Sequence, residues 1–267
     1  MHALVAALTA FVLPGFTAAA QQPADGRLLT GVFPGTVRAG YIYLPPRFER
    51  SRRYPVVYLL HGLPGDPSEY VNGTQLGRFA DAGIEGGTLR PFIAIIPAAG
   101  ADASYGGEWA GRWETALVSK VVPWVDAHLP TMPTRAGRIL AGISAGGFGA
   151  VDITLRHPSL FGVAESWSGY FTPLHDAPFT HASAATLAAN DPTKLVPAEA
   201  ATLRRDGLRF FVSTGPYHSH LFLPAETIAF ARELGRYGLP VRLMQYGSVN
   251  GEWRAQLDAG LDWALRV

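Results

Sequence analysis

Residues 138–156, RILAGISAGGFGAVDITLR, change their hydrophobic period halfway. Residues 138–143 form a short continuous apolar run, the signature of a strand buried on both faces, whereas from Gly147 onward the apolar residues recur at helical spacing. Between them Gly142-Ile143-Ser144-Ala145-Gly146 fits G-x-S-x-G. Five positions alone are a weak signal. A strand before them and a helix after them supply the context in which a serine is thrust out on a sharp turn. Gly142 and Gly146 leave room where β-carbons would collide with the neighbouring strand and helix, and the free amides at the helix start face an oxygen that turns negative during acyl transfer. Ser144 is therefore the candidate nucleophile and the Ala145 amide a candidate oxyanion donor.

The same two periods alternate along the rest of the chain. Residues 36–44, 55–60, 92–97, 161–168, 208–214 and 241–246 read as further strands, and 76–84, 116–128, 225–237 and 253–265 as further helices. Strands alternating with helices imply an α/β domain with a mostly parallel sheet, helices on both faces, and chemistry at the carboxyl ends of the strands. Residues 169–201 hold prolines and paired alanines without a clear period, so loops and short helices over the sheet edge are expected there. No internal repeat or low-complexity run interrupts the pattern.

Composition bounds the function. The chain has 267 residues, 48% hydrophobic and 16% charged, with 22 basic against 21 acidic residues for a net charge of +1. Such a profile fits a packed domain rather than a disordered chain, and it lacks the basic excess of a nucleic-acid binder. At this length one domain, residues 24–267, is expected. Zero cysteines exclude a disulfide framework, a thiolate metal site and a cysteine nucleophile, and no cofactor or metal is implied. Residues 1–20 run from an apolar stretch at 2–13 through Pro14-Gly15 to Ala18-Ala19-Ala20, which resembles a secretory signal without its positive start. A secreted or cell-envelope location is the expectation. No stretch reaches the roughly 20 apolar residues that a membrane helix needs.

Upstream, His61-Gly62-Leu63-Pro64-Gly65 follows the apolar run at 55–60. A turn at that strand end can bring a second oxyanion donor, the Leu63 amide, although a plain β-turn has the same composition. Trp109, Trp113, Trp167 and Trp253 either line a pocket mouth or pack in the core.

RYPVVYLLHGLPGDPSEY (53–70), PFIAIIPAAG (91–100), GRWETALVSKVVPWVDAHLPT (111–131), ILAGISAGGFGAVDITLRHPSLFG (139–162) and SWSG (166–169) together resemble the esterase branch of the α/β-hydrolases. That branch includes S-formylglutathione hydrolases, feruloyl and enterochelin esterases and the antigen 85 mycolyltransferases. The resemblance runs from about residue 27 to the end and is specific between 53 and 169. It implies an α/β-hydrolase fold with a central sheet of about eight strands. It further implies hydrolysis or transfer of a carboxylic ester through an acyl-Ser144 intermediate, the Leu63 and Ala145 amides as oxyanion hole, and a small-molecule or lipid-like ester as substrate. Trp113-Glu114 would open a helix near the site mouth.

One part of that pattern is broken. The family order is nucleophile, acid, then histidine after the last strand. Here no histidine follows His220, and Ser248 stands five residues before Trp253, where relatives carry the histidine. The loop after residue 214 reads Gly215-Pro216-Tyr217-His218-Ser219-His220, with two histidines where relatives place a carboxylate. General-base assistance is worth about 10²- to 10⁴-fold, so its loss matters. Three readings stay open: His218 or His220 acts as a relocated base, with His175 a weaker candidate and Asp176 or Glu226 orienting it. Alternatively the fold is retained as a catalytically inactive binding or scaffolding protein, or Ser144 reacts slowly with the oxyanion hole alone. His218 and His220 without a carboxylate cluster make a poor metal site.

Overall fold

A computed structural model describes residues 13–20, 22, 25–216, 224–247 and 252–266. Nine strands form one sheet: β1 (Phe16–Ala18), β2 (Arg27–Val32), β3 (Ala39–Leu44), β4 (Val56–Leu60), β5 (Ile93–Ile96), β6 (Arg138–Ile143), β7 (Val163–Trp167), β8 (Arg209–Thr214) and β9 (Val241–Gln245). Their spatial order is β1-β2-β3-β5-β4-β6-β7-β8-β9. Pairing is antiparallel from β1 to β5 and parallel from β5 across to β9.

Alternation along the central strands explains why they read as unbroken apolar runs. Val56, Tyr58, Leu60, Ile93, Ile95 and Leu140 point to one face. There they meet α2 (Arg112–Ala116), the wide turn Leu117–Val121, α3 (Val122–His128) and one side of α4 (Ala145–Arg156). Val57, Leu59, Ala94, Ile96, Ile139 and Ala141 point to the other face, against α1 (Leu76–Glu85) and α8 (Glu252–Leu265). With both faces covered, neither set of positions can be polar. The far half of the sheet is closed by α6 (Pro192–Arg205) and α7 (Pro224–Arg236), whose Val196, Leu203, Phe230 and Leu234 pack with Phe210 and Val212 of β8.

The fold is the expected α/β-hydrolase architecture, with one strand more than about eight. The two strands that periodicity did not locate are β1 and β2, both at the antiparallel end. β1 has only three residues, and β2 (RLLTGV) has one buried residue, Leu28, among half-buried and exposed ones, so neither carries a buried run. β1 also lies inside the signal-like segment: Phe16 and Ala19 are buried and residues 16–18 pair with 29–31, so the sheet reaches beyond the expected domain start at 24. Within residues 169–201 the short helix α5 (Ala184–Ala188) was anticipated in kind, but the 14-residue α6 was not. Asp191 caps α6 by accepting from the Thr193 amide at 3.0 Å, with Pro192 in the first helical turn. Pro197 inside the helix disguised its period.

From β4 the chain moves to β5 on one side and then crosses to β6 on the other. In sheets of this kind ligands bind outside the carboxyl ends of the strands at such a reversal, here β4 and β6. His61-Gly62-Leu63 leaves β4 there, and Ser144 leaves β6.

Candidate active site

Ser144 has φ 56° and ψ −120°, between the end of β6 and the first residue of α4. Its amide donates to the Trp167 carbonyl at 3.0 Å, and its carbonyl accepts from the Phe148 amide at 3.0 Å. Both backbone groups are thus committed, which holds a non-glycine residue in a sparsely populated conformation and leaves the side chain partly exposed. The tightness of the elbow requires its glycines: a β-carbon at Gly142 would stand 2.3 Å from the Gly146 carbonyl carbon and 2.8 Å from the Leu60 oxygen.

The turn after β4 lies against this serine. A β-carbon at Gly62 would be 3.5 Å from Ser144 Cβ and 4.0 Å from Ser144 Oγ. The amides of Leu63 and Ala145 donate no hydrogen bond among the described residues, Ala145 because it is the first residue of α4. Two unspent donors therefore belong to residues next in sequence to Gly62 and to Ser144, which are themselves close together.

His61 is fully buried and belongs to the turn's scaffold. Its Nδ1 lies 2.7 Å from the Gly62 carbonyl, and its Nε2 lies 3.1 Å from the Ala99 amide. A carbonyl on one side and an N–H on the other assign the neutral ring with its proton on Nδ1. Burial pushes its pKa down to about 4, which keeps that form. Trp109 Nε1 donates to the His61 carbonyl at 2.9 Å, and the two rings meet edge to face.

The other histidines and acids fall apart into separate roles. His218 and His220, the candidate bases, and Ser248 lie outside the described residues. Among the described residues the Ser144 hydroxyl has no hydrogen-bond partner. His175 is exposed, His128 stacks on Trp124, and His157 bonds Glu114 at 2.7 Å. Glu114 also pairs with Arg156, so it is anchored at the far end of α4 rather than at the site mouth. Twelve residues of helix, about 18 Å, separate that end from Ser144. Glu226 Oε1 accepts from the Phe171 amide at 2.9 Å, and Asp176 is half-buried with its pKa raised by burial. Trp109, Trp113 and Trp167 are core residues, which leaves only Trp253 exposed.

Sequence reasoning missed two arrangements beside the site. Ala145, Phe148, Tyr170 and Phe179 form a small apolar cluster against which Leu63 and Leu174 pack, so an apolar wall adjoins both candidate oxyanion donors. Behind it Tyr170 donates to Glu108 Oε1 at 2.5 Å, and burial raises the Glu108 carboxyl to about 8. At the ends of β7 and β8, buried Gln256 of α8 accepts from Ser213 at 2.5 Å and donates to Ser168 at 2.9 Å. Residues so far apart in sequence give no local signal. Among the described residues no group of three His, Asp or Glu could hold a metal ion, and no helix is long and apolar enough to cross a membrane.

Residues 34–263 match the family model described as "Putative esterase". The endo-1,4-beta-xylanase/feruloyl esterase of Xylanibacter ruminicola is 29% identical over 137 residues, covering 48% of this chain and 19% of that protein. The diacylglycerol acyltransferase/mycolyltransferase Ag85B of Mycolicibacterium smegmatis is 26% identical over 203 residues, covering 63% of this chain and 55% of that protein. The chain thus spans from about a fifth to about half the length of these relatives. A solved ferulic acid esterase superposes with a TM-score of 0.77 at 21% identity, over 90% of this chain and 98% of the other, a likeness of fold.

Proposed function

Because the chain belongs to the esterase family, we propose that it is a serine-dependent carboxylic ester hydrolase or acyltransferase that works through an acyl-Ser144 intermediate. Ser144 Oγ attacks the ester carbonyl carbon, the carbonyl oxygen takes up the negative charge, and the Leu63 and Ala145 amides donate to it. Collapse expels the alcohol, which takes a proton, and water or a second alcohol then removes the acyl group. His218 or His220 carries the proton in this reading. Half-buried Leu63 and Leu174, packed on the buried Phe148–Tyr170–Phe179 cluster, suit an apolar or aromatic acyl group, so the substrate is a small-molecule or lipid-like ester. An exported or cell-envelope location belongs to the same proposal and rests on the apolar stretch at residues 2–13, since residues 16–18 belong to the sheet.

The observation that carries the reading is the strained Ser144 backbone close to Gly62, with the following residues, Ala145 and Leu63, each keeping an unspent amide. Fluorophosphonate labelling and nitrophenyl-ester turnover, measured on the wild type and on Ser144→Ala, test it. Labelling and turnover lost in the variant are expected; equal rates remove the enzyme reading. His218→Ala and His220→Ala, assayed over about pH 5 to 9, test the base: a Ser144-dependent rate unmoved by either removes both histidines from that role. Ser248 at the family's histidine position favours the second reading, an inactive binding or scaffolding relative, and the same labelling decides between them.

A further inference from the structure

We propose that Arg38, just before β3, is a positioning residue for the oxyanion-binding turn; the proposal rests on the Ser144 reading above. Its side chain is 12% exposed and reaches two loops at once. Nη1 donates to the Ala99 carbonyl at 2.9 Å and to the Asp102 carbonyl at 3.0 Å. Nη2 lies 3.3 Å from the Gly65 carbonyl and pairs with the Asp66 carboxylate. The groups it gathers stand 27 to 64 residues away in sequence, so no local turn could hold them together.

The contacts form a circuit around the turn. Arg38 holds the Ala99 carbonyl, the Ala99 amide donates to His61 Nε2, and His61 Nδ1 donates to the Gly62 carbonyl. From the other side Arg38 holds Gly65 and Asp66. The turn is also closed on itself, since a β-carbon at Gly65 would stand 2.2 Å from the Gly62 oxygen. In a planar trans peptide the carbonyl of Gly62 and the N–H of Leu63 point in opposite directions. Gripping that carbonyl therefore aims the Leu63 amide to the opposite side. Arg38 touches no reacting atom; it fixes the two ends of the segment that carries the donor. Its planar fork can serve several carbonyls and a carboxylate at once, which a lysine ammonium on a flexible stem cannot reproduce.

An oxyanion donor misplaced by about 1 Å loses much of its value, so Arg38→Ala should lower kcat about 10- to 100-fold while KM moves less than about 3-fold. Affinity for a trifluoromethyl ketone, which forms the tetrahedral oxyanion, should fall by the same factor as kcat, while affinity for the matching methyl ketone stays. Arg38→Lys keeps the charge and serves if the alanine variant does not fold; it too should fall well below wild type. Melting temperature, measured in parallel, corrects for folded fraction. A Ser144-dependent rate within about twofold of wild type in Arg38→Ala, or equal losses toward both ketones, overturns the positioning role and leaves the ester chemistry standing. Ser144→Ala turnover equal to wild type removes the ester reading, and this role with it.

Discussion

Gly146 sits against Leu60 so closely that a β-carbon on it would stand 2.0 Å from the Leu60 carbonyl oxygen. The obstacle is backbone in the middle of the sheet, which cannot swing aside as a flexible side chain can. Gly146→Ala should therefore cost about 3 kcal/mol or more of unfolding free energy, read by denaturant titration. Gly62→Ala is the control, because its nearest neighbours would lie at 3.5 Å or beyond. Its stability should stay within about 1 kcal/mol of wild type, yet its methyl fills the space beside Ser144 Oγ and should depress ester turnover.

Ser144 bears a conformation that glycine adopts freely. Ser144→Gly should raise stability by about 1 kcal/mol while reducing ester turnover to background. Ser144→Ala, which keeps the β-carbon, should lose turnover without that gain. Thermal unfolding of the pair checks it.

His61 sets an acid limit. Its pKa is lowered from 6.5 to about 4, chiefly by burial, with Arg38 also lowering it and the Gly62 carbonyl and Asp66 opposing. The folded state binds its proton less readily than the unfolded chain does. Its contribution is complete above about pH 6.5 and is lost as pH falls toward 4, up to about 3 kcal/mol. Protonation would also set N–H against the Ala99 N–H. Unfolding free energies at neutral and acid pH should show this loss in wild type and a shallower one in His61→Gln.

Glu165 sets the opposite limit. It is fully buried on β7, accepts from Trp167 Nε1 at 3.1 Å, and is fitted under α8 where Gly260 leaves room for it. Burial raises its carboxyl from 4.5 to about 8, so the folded state holds the proton that the unfolded chain releases. Stability is fully present below about pH 4.5 and falls as pH rises through 8. Glu165→Gln keeps the size and the acceptor for Trp167. It should be more stable than wild type at pH 8 by about 4 kcal/mol and lose that advantage near pH 4.5.

Legibility followed burial. β4, β5, β6 and β7 were readable as continuous apolar runs because helices cover both of their faces, and the Ser144 turn because G-x-S-x-G stands between a strand period and a helix period. β1 and β2 were not, since a three-residue edge strand and a strand with only one buried residue carry no such run. α6 announced its start through Asp191-Pro192, but Pro197 hid its continuation. Glu114 resembled a residue near the site mouth until its partners, Arg156 and His157, placed it at the other end of α4.

By itself the sequence determined the alternation of strands and helices from β3 onward, the single mostly parallel sheet, and the serine on its sharp turn at position 144. Periodicity suffices for that, because it reports which faces are buried and where the chain must bend. Only the tertiary structure decided that Gly62 lies against Ser144, that Arg38 and His61 both act on one turn through Ala99, and that three of the tryptophans are core. Those relations join single backbone groups from distant segments. Their partners are chosen by how the sheet is ordered and packed, and no local pattern of residues encodes that choice.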